Sequence, residues 1–213
     1  MVRVKICGVT REEDLTTAVE AGADAIGLVV NVPTSPRNLT LREAKRLVSR
    51  VPIFVESVVV TVSSSPELLT EILECLSPDA IQIHGGETPG FRLIREKLSG
   101  IRLIMAVSAN SDAAIEKAAK ISSSSDAILV DSYVEGKHGG TGVVHDWQLS
   151  KQIREAIAPK LLILAGGLTP ENVGEAVDFV HPYAVDVSSG VEQHPGVKDP
   201  KKVFEFVKNA KEM

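Results

Sequence analysis

Six polar residues interrupt runs that are otherwise apolar: Lys5, Cys7, Gln82, His84, Asp131 and Asp186. They supply a thiol, an imidazole, an ammonium, an amide and two carboxylates, groups that move protons or hold a charge in place. Cys7 sits in Lys5-Ile6-Cys7-Gly8-Val9-Thr10, where Val2, Val4 and Ile6 alternate with Arg3, Lys5 and Cys7. That period of two predicts a strand with unlike faces, with Lys5 and Cys7 sharing one of them and the thiol at the C-terminal end. Gly8 permits a sharp turn there, and Thr10 followed by Glu13 has the pattern of a capping box opening a helix. A lone Cys in a strand is ordinarily a small buried hydrophobe. Its meaning therefore depends on what the fold brings beside it.

Three glycine clusters follow later in the chain: Gly139-Gly140-Thr141-Gly142, Ala165-Gly166-Gly167-Leu168 and Ser188-Ser189-Gly190. Glycine lets backbone approach a ligand closely, and successive N–H groups can cradle a phosphate. Gly142, Gly166, Gly167, Ser189 and Gly190 are the expected contacts, with tight turns as the plainer reading.

These groups need a repeating scaffold to position them. Strands are expected at Val2 to Cys7, Ala25 to Val30, Ile53 to Val60, Ala80 to His84, Arg102 to Val107, Ala127 to Asp131, Leu161 to Ala165 and Ala184 to Val187. A helix is expected after each, the second opened by the capping box Thr40 to Glu43, the third by Ser65-Pro66, the fourth running from Gly90 to Leu98 and the last from Pro200 to Lys211. Strands begin roughly every 22 to 34 residues, with no break in composition. That rhythm predicts an α/β protein, a (β/α)8 TIM barrel forming a single domain over residues 1–213. A doubly wound open sheet is the alternative, although no GxGxxG fingerprint follows the first strand.

Alternation in a barrel turns Ile81, Ile83, Ile128, Val130, Val185 and Val187 onto helices and aims the six polar residues at one interior. Lys5 and Asp186 lie on strands that closure makes neighbours, so an ion pair is expected between them, since neither charge is tolerated there alone. Cys7, His84 and Asp131 fall at C-terminal strand ends, the rim that carries chemistry in such barrels. Loop capping by Asp131 and a structural role for His84 are the plainer readings. Cys75, beside the apolar helical face of Leu68, Leu69, Ile72, Leu73 and Leu76, is expected to pack in the core.

Of the 213 residues, 44% are hydrophobic and 24% charged, with a net charge of −5. The acidic balance and the lack of basic, aromatic-interleaved stretches argue against nucleic acid or a membrane surface as partner and leave a small molecule, which the glycine clusters predict to be phosphorylated. Two cysteines without metal-ligand spacing suggest neither a disulfide scaffold nor a metal site. Without a signal-peptide core or a bilayer-length apolar run, the expected setting is the cytoplasm. Assembly stays open between monomer and homodimer.

The residues resemble the phosphoribosylanthranilate isomerase family along essentially the whole chain. The likeness runs through Lys5-Ile6-Cys7-Gly8-Val9-Thr10, Ser35-Pro36-Arg37, Gln82-Ile83-His84-Gly85, Val130-Asp131, Gly140-Thr141-Gly142 with Asp146-Trp147, Ala165-Gly166-Gly167-Leu168, and Asp186-Val187-Ser188-Ser189-Gly190-Val191-Glu192. Val58-Val59-Val60-Thr61 departs from it, lacking an aromatic and an Asn. The resemblance implies an Amadori rearrangement in tryptophan biosynthesis, with Asp131 as general acid, Cys7 as base and Arg37 on the substrate carboxylate. It implies no metal and no cofactor, because the substrate's own iminium is the electron sink. Lys5, Gln82, His84 and Asp186 would support that site, Lys5 by favouring the thiolate. A histidine-pathway ribotide isomerase, which uses Asp where this chain has Cys7, and a non-catalytic phosphosugar-binding barrel are the competing readings.

Overall fold

The computed structural model describes residues 1–62, 65–85, 95, 100–131 and 146–212. Among them, eight parallel strands form the wall: β1 (Arg3–Cys7), β2 (Ala25–Val30), β3 (Glu56–Thr61), β4 (Ala80–His84), β5 (Arg102–Ser108), β6 (Ala127–Asp131), β7 (Leu161–Leu164) and β8 (Ala184–Val187). Each pairs with the next, and β8 pairs back onto β1 through the register Lys5 to Asp186, so the sheet closes into a barrel. The described helices around it are α1 (Glu12–Glu20), α2 (Leu41–Val48), α3 (Pro66–Leu76), α4 (Ala113–Ser122), α5 (Trp147–Ile157), α6 (Val173–Val180) and α7 (Pro200–Lys211). The helix expected over Gly90 to Leu98 lies largely outside the described residues.

Period-two alternation decides which side chains enter the barrel. Val4, Ile6, Ile26, Val59, Ile81, Ile83, Ile128, Val130, Val185 and Val187 turn outward into the apolar layer beneath the helices. Each such side chain contributes roughly 1.5–3 kcal/mol when fully buried, so the helix–sheet layer supplies most of the driving force. The inner face carries a smaller cluster that includes Val58, Val60, Ile104, Leu129 and Ile163, interleaved with Ala80, Ala106, Ala127 and Ala184. A barrel of eight strands is just wide enough for such a filling.

The N-terminal rim is stitched by a repeated device. Asp24, Asp79 and Asp126 precede β2, β4 and β6, and each carboxylate accepts the backbone N–H of the second residue of the strand before: Val4, Ser57 and Leu103, all at 2.8 Å. Each Asp returns its own N–H to the same residue's carbonyl, at 2.8–3.0 Å.

Local differences from the expected elements have identifiable causes. Thr40 does form its capping box with Glu43, but Thr10 does not. Its hydroxyl donates instead to the Gly196 carbonyl at 2.6 Å, and α1 begins after Arg11 without a side-chain cap. β3 begins at Glu56, not Ile53: Ile53 and Phe54 are 83% and 97% exposed in a turn where Phe54 has φ 74°. The connection after β2 contains a two-residue strand, Asn38–Leu39, paired with Val29 and Val30. Beyond β8, Glu192–His194 and Val197–Lys198 form an antiparallel hairpin, tied to α1 through Asp14. No described helix is long and apolar enough to cross a membrane.

Candidate active site

A pocket opens at the C-terminal rim, lined by Cys7, Arg37, His84, Asp131, Gly166, Gly167, Asp186, Ser188, Ser189 and Gly190, with Val29, Val32 and Val60 on its apolar wall. Most residues singled out from sequence therefore converge. Lys5 and Gln82 do not line it; they lie beneath, 3% and 0% exposed. Gly142 falls outside the described residues. Cys75 is half-buried against the core.

Cys7 is 8% exposed at the end of β1. Gly27 on β2 makes its place: a Cβ there would come within 2.8 Å of Sγ. Gly8 turns the chain with φ 72°, and a side chain on it would run into Arg37 Cδ. The long loop thus lays Arg37 directly against the backbone that carries the thiol.

Lys5 donates to Asp186 and to Gln82 Oε1, both at 2.9 Å, which is the expected ion pair. Burial alone would discharge Lys5, but Asp186 and Cys7 together outweigh it and the ammonium is held above its ordinary range. With Gln82 Oε1 accepting from Lys5, its amide nitrogen faces His84 Nε2 at 2.6 Å. That arrangement assigns Nε2 as acceptor and gives a neutral His84 its proton at Nδ1.

The Cys7 thiol is pushed up by burial, with Asp186 adding to the effect, while Lys5 and Lys198 pull it back down. Lys5 therefore favours the thiolate, but burial outweighs it. Lys198 is a group that sequence reasoning missed. Its Nζ, fully buried, donates to the Cys7 carbonyl at 2.6 Å, the Ser188 carbonyl at 3.1 Å and Glu192 Oε1 at 3.0 Å. Glu192 in turn accepts from Arg37 Nε at 2.7 Å and Nη2 at 2.6 Å. Nothing in the local pattern pairs a lysine near the C-terminus with a cysteine at position 7; only the acid Glu192, inside a recognisable motif, signalled a counter-charge.

The glycine loops after β7 and β8 pack on each other, because a Cβ on Gly190 would collide with the Leu168 carbonyl. Gly166 and Gly167 have φ of 82° and 67°, consecutive left-handed positions where other residues are strained. Beside them Ser188 Oγ is buried with no hydrogen-bond partner among the described residues. The arrangement combines closely approachable backbone, a hydroxyl and a buried cation network, which suits an anionic ligand.

A family model described as N-(5'-phosphoribosyl)anthranilate (PRA) isomerase matches residues 4–209. The N-(5'-phosphoribosyl)anthranilate isomerase of Methanothrix thermoacetophila is 45% identical over 213 residues, covering 99% of both chains. The crystal structure of phosphoribosyl anthranilate isomerase from Thermotoga maritima superposes with a TM-score of 0.90 at 40% identity over the whole of both chains. A crystal structure of phosphoribosyl anthranilate isomerase in complex with reduced 1-(o-carboxyphenylamino)-1-deoxyribulose 5-phosphate gives 0.86 at 39% identity, again over all of both chains. With the family model matching residues 4–209 and both sequence and fold agreeing along the chain, this chain belongs to the N-(5'-phosphoribosyl)anthranilate isomerase family.

Proposed function

We propose that this protein converts N-(5-phosphoribosyl)anthranilate to 1-(2-carboxyphenylamino)-1-deoxyribulose 5-phosphate in tryptophan biosynthesis, with Asp131 as general acid and Cys7 as general base. The observation that carries the reading is the meeting of Cys7, Asp131, Arg37 and the two glycine loops in one pocket of a member of this family. The two ends of the ligand are provided for separately. Backbone around Gly166, Gly167, Ser189 and Gly190 binds the phosphate. Glu192 occupies one edge of the Arg37 fork, and the Nη1 edge is left to meet the anthranilate carboxylate.

Asp131 gives its proton to the furanose ring oxygen as the C1′–O bond breaks, and the anilino nitrogen's lone pair forms the C1′=N⁺ iminium. Cys7 as thiolate takes the C2′ proton, and the electron pair of that C–H bond makes C1′=C2′ while neutralising the nitrogen. The resulting enolamine tautomerises to the ketone. A thiol near 8.5 and a carboxylic acid near 3.9 have the wrong order for these roles, and burial moves Cys7 further up. The cationic iminium, formed next to Sγ, supplies the charge that favours the thiolate when it is needed. Metal and cofactor are not called upon.

The test is a progress curve of anthranilate-type fluorescence on adding the purified protein to N-(5-phosphoribosyl)anthranilate. A protein-dependent decay that inorganic phosphate competes with is expected. Decay at the uncatalysed rate would overturn the assignment.

A further inference from the structure

Two buried clusters flank Cys7, and they differ in net charge. The Lys5–Asp186 pair is balanced, one cation against one anion at 2.9 Å. On the other side, Lys198 and Arg37 share one carboxylate among the described residues, that of Glu192, at 3.0 and 2.6 Å. Side-chain exposures there are 0%, 11% and 4% for Lys198, Arg37 and Glu192, so water does little to screen the cation left over. Burial moves the Lys198 ammonium below its ordinary range, with Glu192 opposing the shift, but three acceptors surround Nζ and only an ammonium has three protons for them.

Lys198 is also fixed at both ends. Its backbone N–H donates to Asp14 Oδ2 at 3.2 Å, tying the hairpin to α1. Its Nζ bridges the Cys7 and Ser188 carbonyls, the ends of β1 and β8. The lysine therefore joins the thiol-bearing strand end, the loop after β8 and, through Glu192, the Arg37 guanidinium.

We propose that Lys198 is a positioning residue for the reaction: it supplies the uncompensated positive charge beside Cys7 that supports the thiolate, and it holds Arg37 in place through Glu192. The inference rests on the reading of Cys7 as the base. The groups facing Cys7 are Lys5 from its own strand, Asp186 from β8, Arg37 from the loop after β2 and Lys198 with Glu192 from the hairpin, with His84 and Asp131 across the pocket. Asp186 opposes the thiolate and Lys5 supports it; Lys198 adds support from the cluster whose charge is not cancelled.

The network makes a prediction of sign that a purely structural role does not. Removing the cation in Lys198→Met and removing the anion in Glu192→Gln both break the Lys198–Glu192 ion pair, yet must move the Cys7 ionisation in opposite directions. The measurement is the pH dependence of iodoacetamide alkylation, followed peptide by peptide by mass spectrometry, with Cys75 as internal control. In Lys198→Met the Cys7 midpoint should rise by about one pH unit or more, and in Glu192→Gln it should fall by a similar amount. Turnover of Lys198→Met at pH 7 should drop at least about tenfold and recover at higher pH, since each unit of midpoint shift removes about tenfold of the thiolate below the midpoint. Midpoints that stay put, or move together, overturn the proposal. Should Lys198→Met fail to fold, Glu192→Gln decides alone, a lowered midpoint supporting the proposal and an unchanged or raised one refuting it. Because alkylation does not depend on turnover, its failure is distinct from that of the base assignment, which an active Cys7→Ser variant would show.

Discussion

At the N-terminal rim, Asp24, Asp79 and Asp126 spend their oxygens on strand backbone, and each also finds a proton donor in a side chain: Arg3 for Asp24, the Ser57 hydroxyl for Asp79 and Arg95 for Asp126. At the C-terminal rim, Asp131 and Cys7 close their strands facing a pocket, and the buried cations near them are held by carbonyls and by carboxylates. The same barrel thus treats its acids in two ways. Where a carboxylate is saturated by the backbone it holds neighbouring strands in register, and its loss is felt as stability. Where titratable groups border open space beneath left-handed glycine loops, their loss is felt as rate. Parallel strands place all their C-terminal ends on one side, so topology makes this division before any particular residue refines it.

Several substitutions would break or sharpen the contrast. The largest effect is expected from Asp131→Asn, which should lower kcat by about 10² to 10⁴ while leaving the thermal midpoint near that of the wild type; equal losses in both would erase the distinction between rims. Arg37→Ala is expected to weaken substrate by about 10- to 150-fold, from the roughly 1.5–3 kcal/mol of a charge-assisted hydrogen bond. Its signature is a raised KM with inorganic phosphate inhibition retained, and an unchanged KM would move Arg37 out of the site. At the opposite rim, Asp79→Ala removes the partner of the Ser57 N–H and hydroxyl and should cost about 1–2 kcal/mol, or about 2–8 °C in thermal midpoint, with kcat intact.

The smallest effect concerns acid. Burial alone would raise the Glu192 carboxyl, but the Arg37 fork and Lys198 outweigh it and hold it below the ordinary carboxylate range. The folded state then binds fewer protons than the unfolded state as pH falls past about 4.3. The stabilisation from this group is complete above that value and disappears as pH drops through the lowered one. Denaturant unfolding from pH 7 to 3 should therefore show a shallower acid decline in Glu192→Gln than in the wild type, and parallel curves would contradict the paired carboxylate.

Which parts of this were readable in the sequence follows from the range of the interactions. Alternation assigned Ile81, Ile83, Ile128 and Val130 to the helix side and Gln82 and Asp131 to the interior because the period of a strand is a local property. The Lys5–Asp186 pair was readable because closure of eight strands admits one neighbour for β1 on that side. The Thr10 capping box failed to form because α1 starts one residue later, with Arg11 at its N-cap, and the Thr10 hydroxyl is tied to the Gly196 carbonyl, 186 residues away. Ile53 and Phe54 read as strand by type, yet the chain turns there with both side chains in solvent. Lys198 was invisible for the same reason as Gly196: its partner Cys7 is 191 residues away. One signal was available and local. Asp24-Ala25-Ile26, Asp79-Ala80-Ile81 and Asp126-Ala127-Ile128 repeat one tripeptide before alternate strands, and the structure shows each Asp performing the same stitch.

The claim that chemistry and stability reside on opposite rims is tested most directly by measuring kcat and thermal midpoint together for Cys7→Ser and Asp79→Ala. Cys7→Ser, a small change in size at a site framed by Gly27, should lose about 10² to 10⁴ in kcat with a midpoint close to the wild type. Asp79→Ala should do the reverse, keeping kcat and losing several degrees. A Cys7→Ser protein that is folded and turns over N-(5-phosphoribosyl)anthranilate at near the wild-type rate would contradict the account.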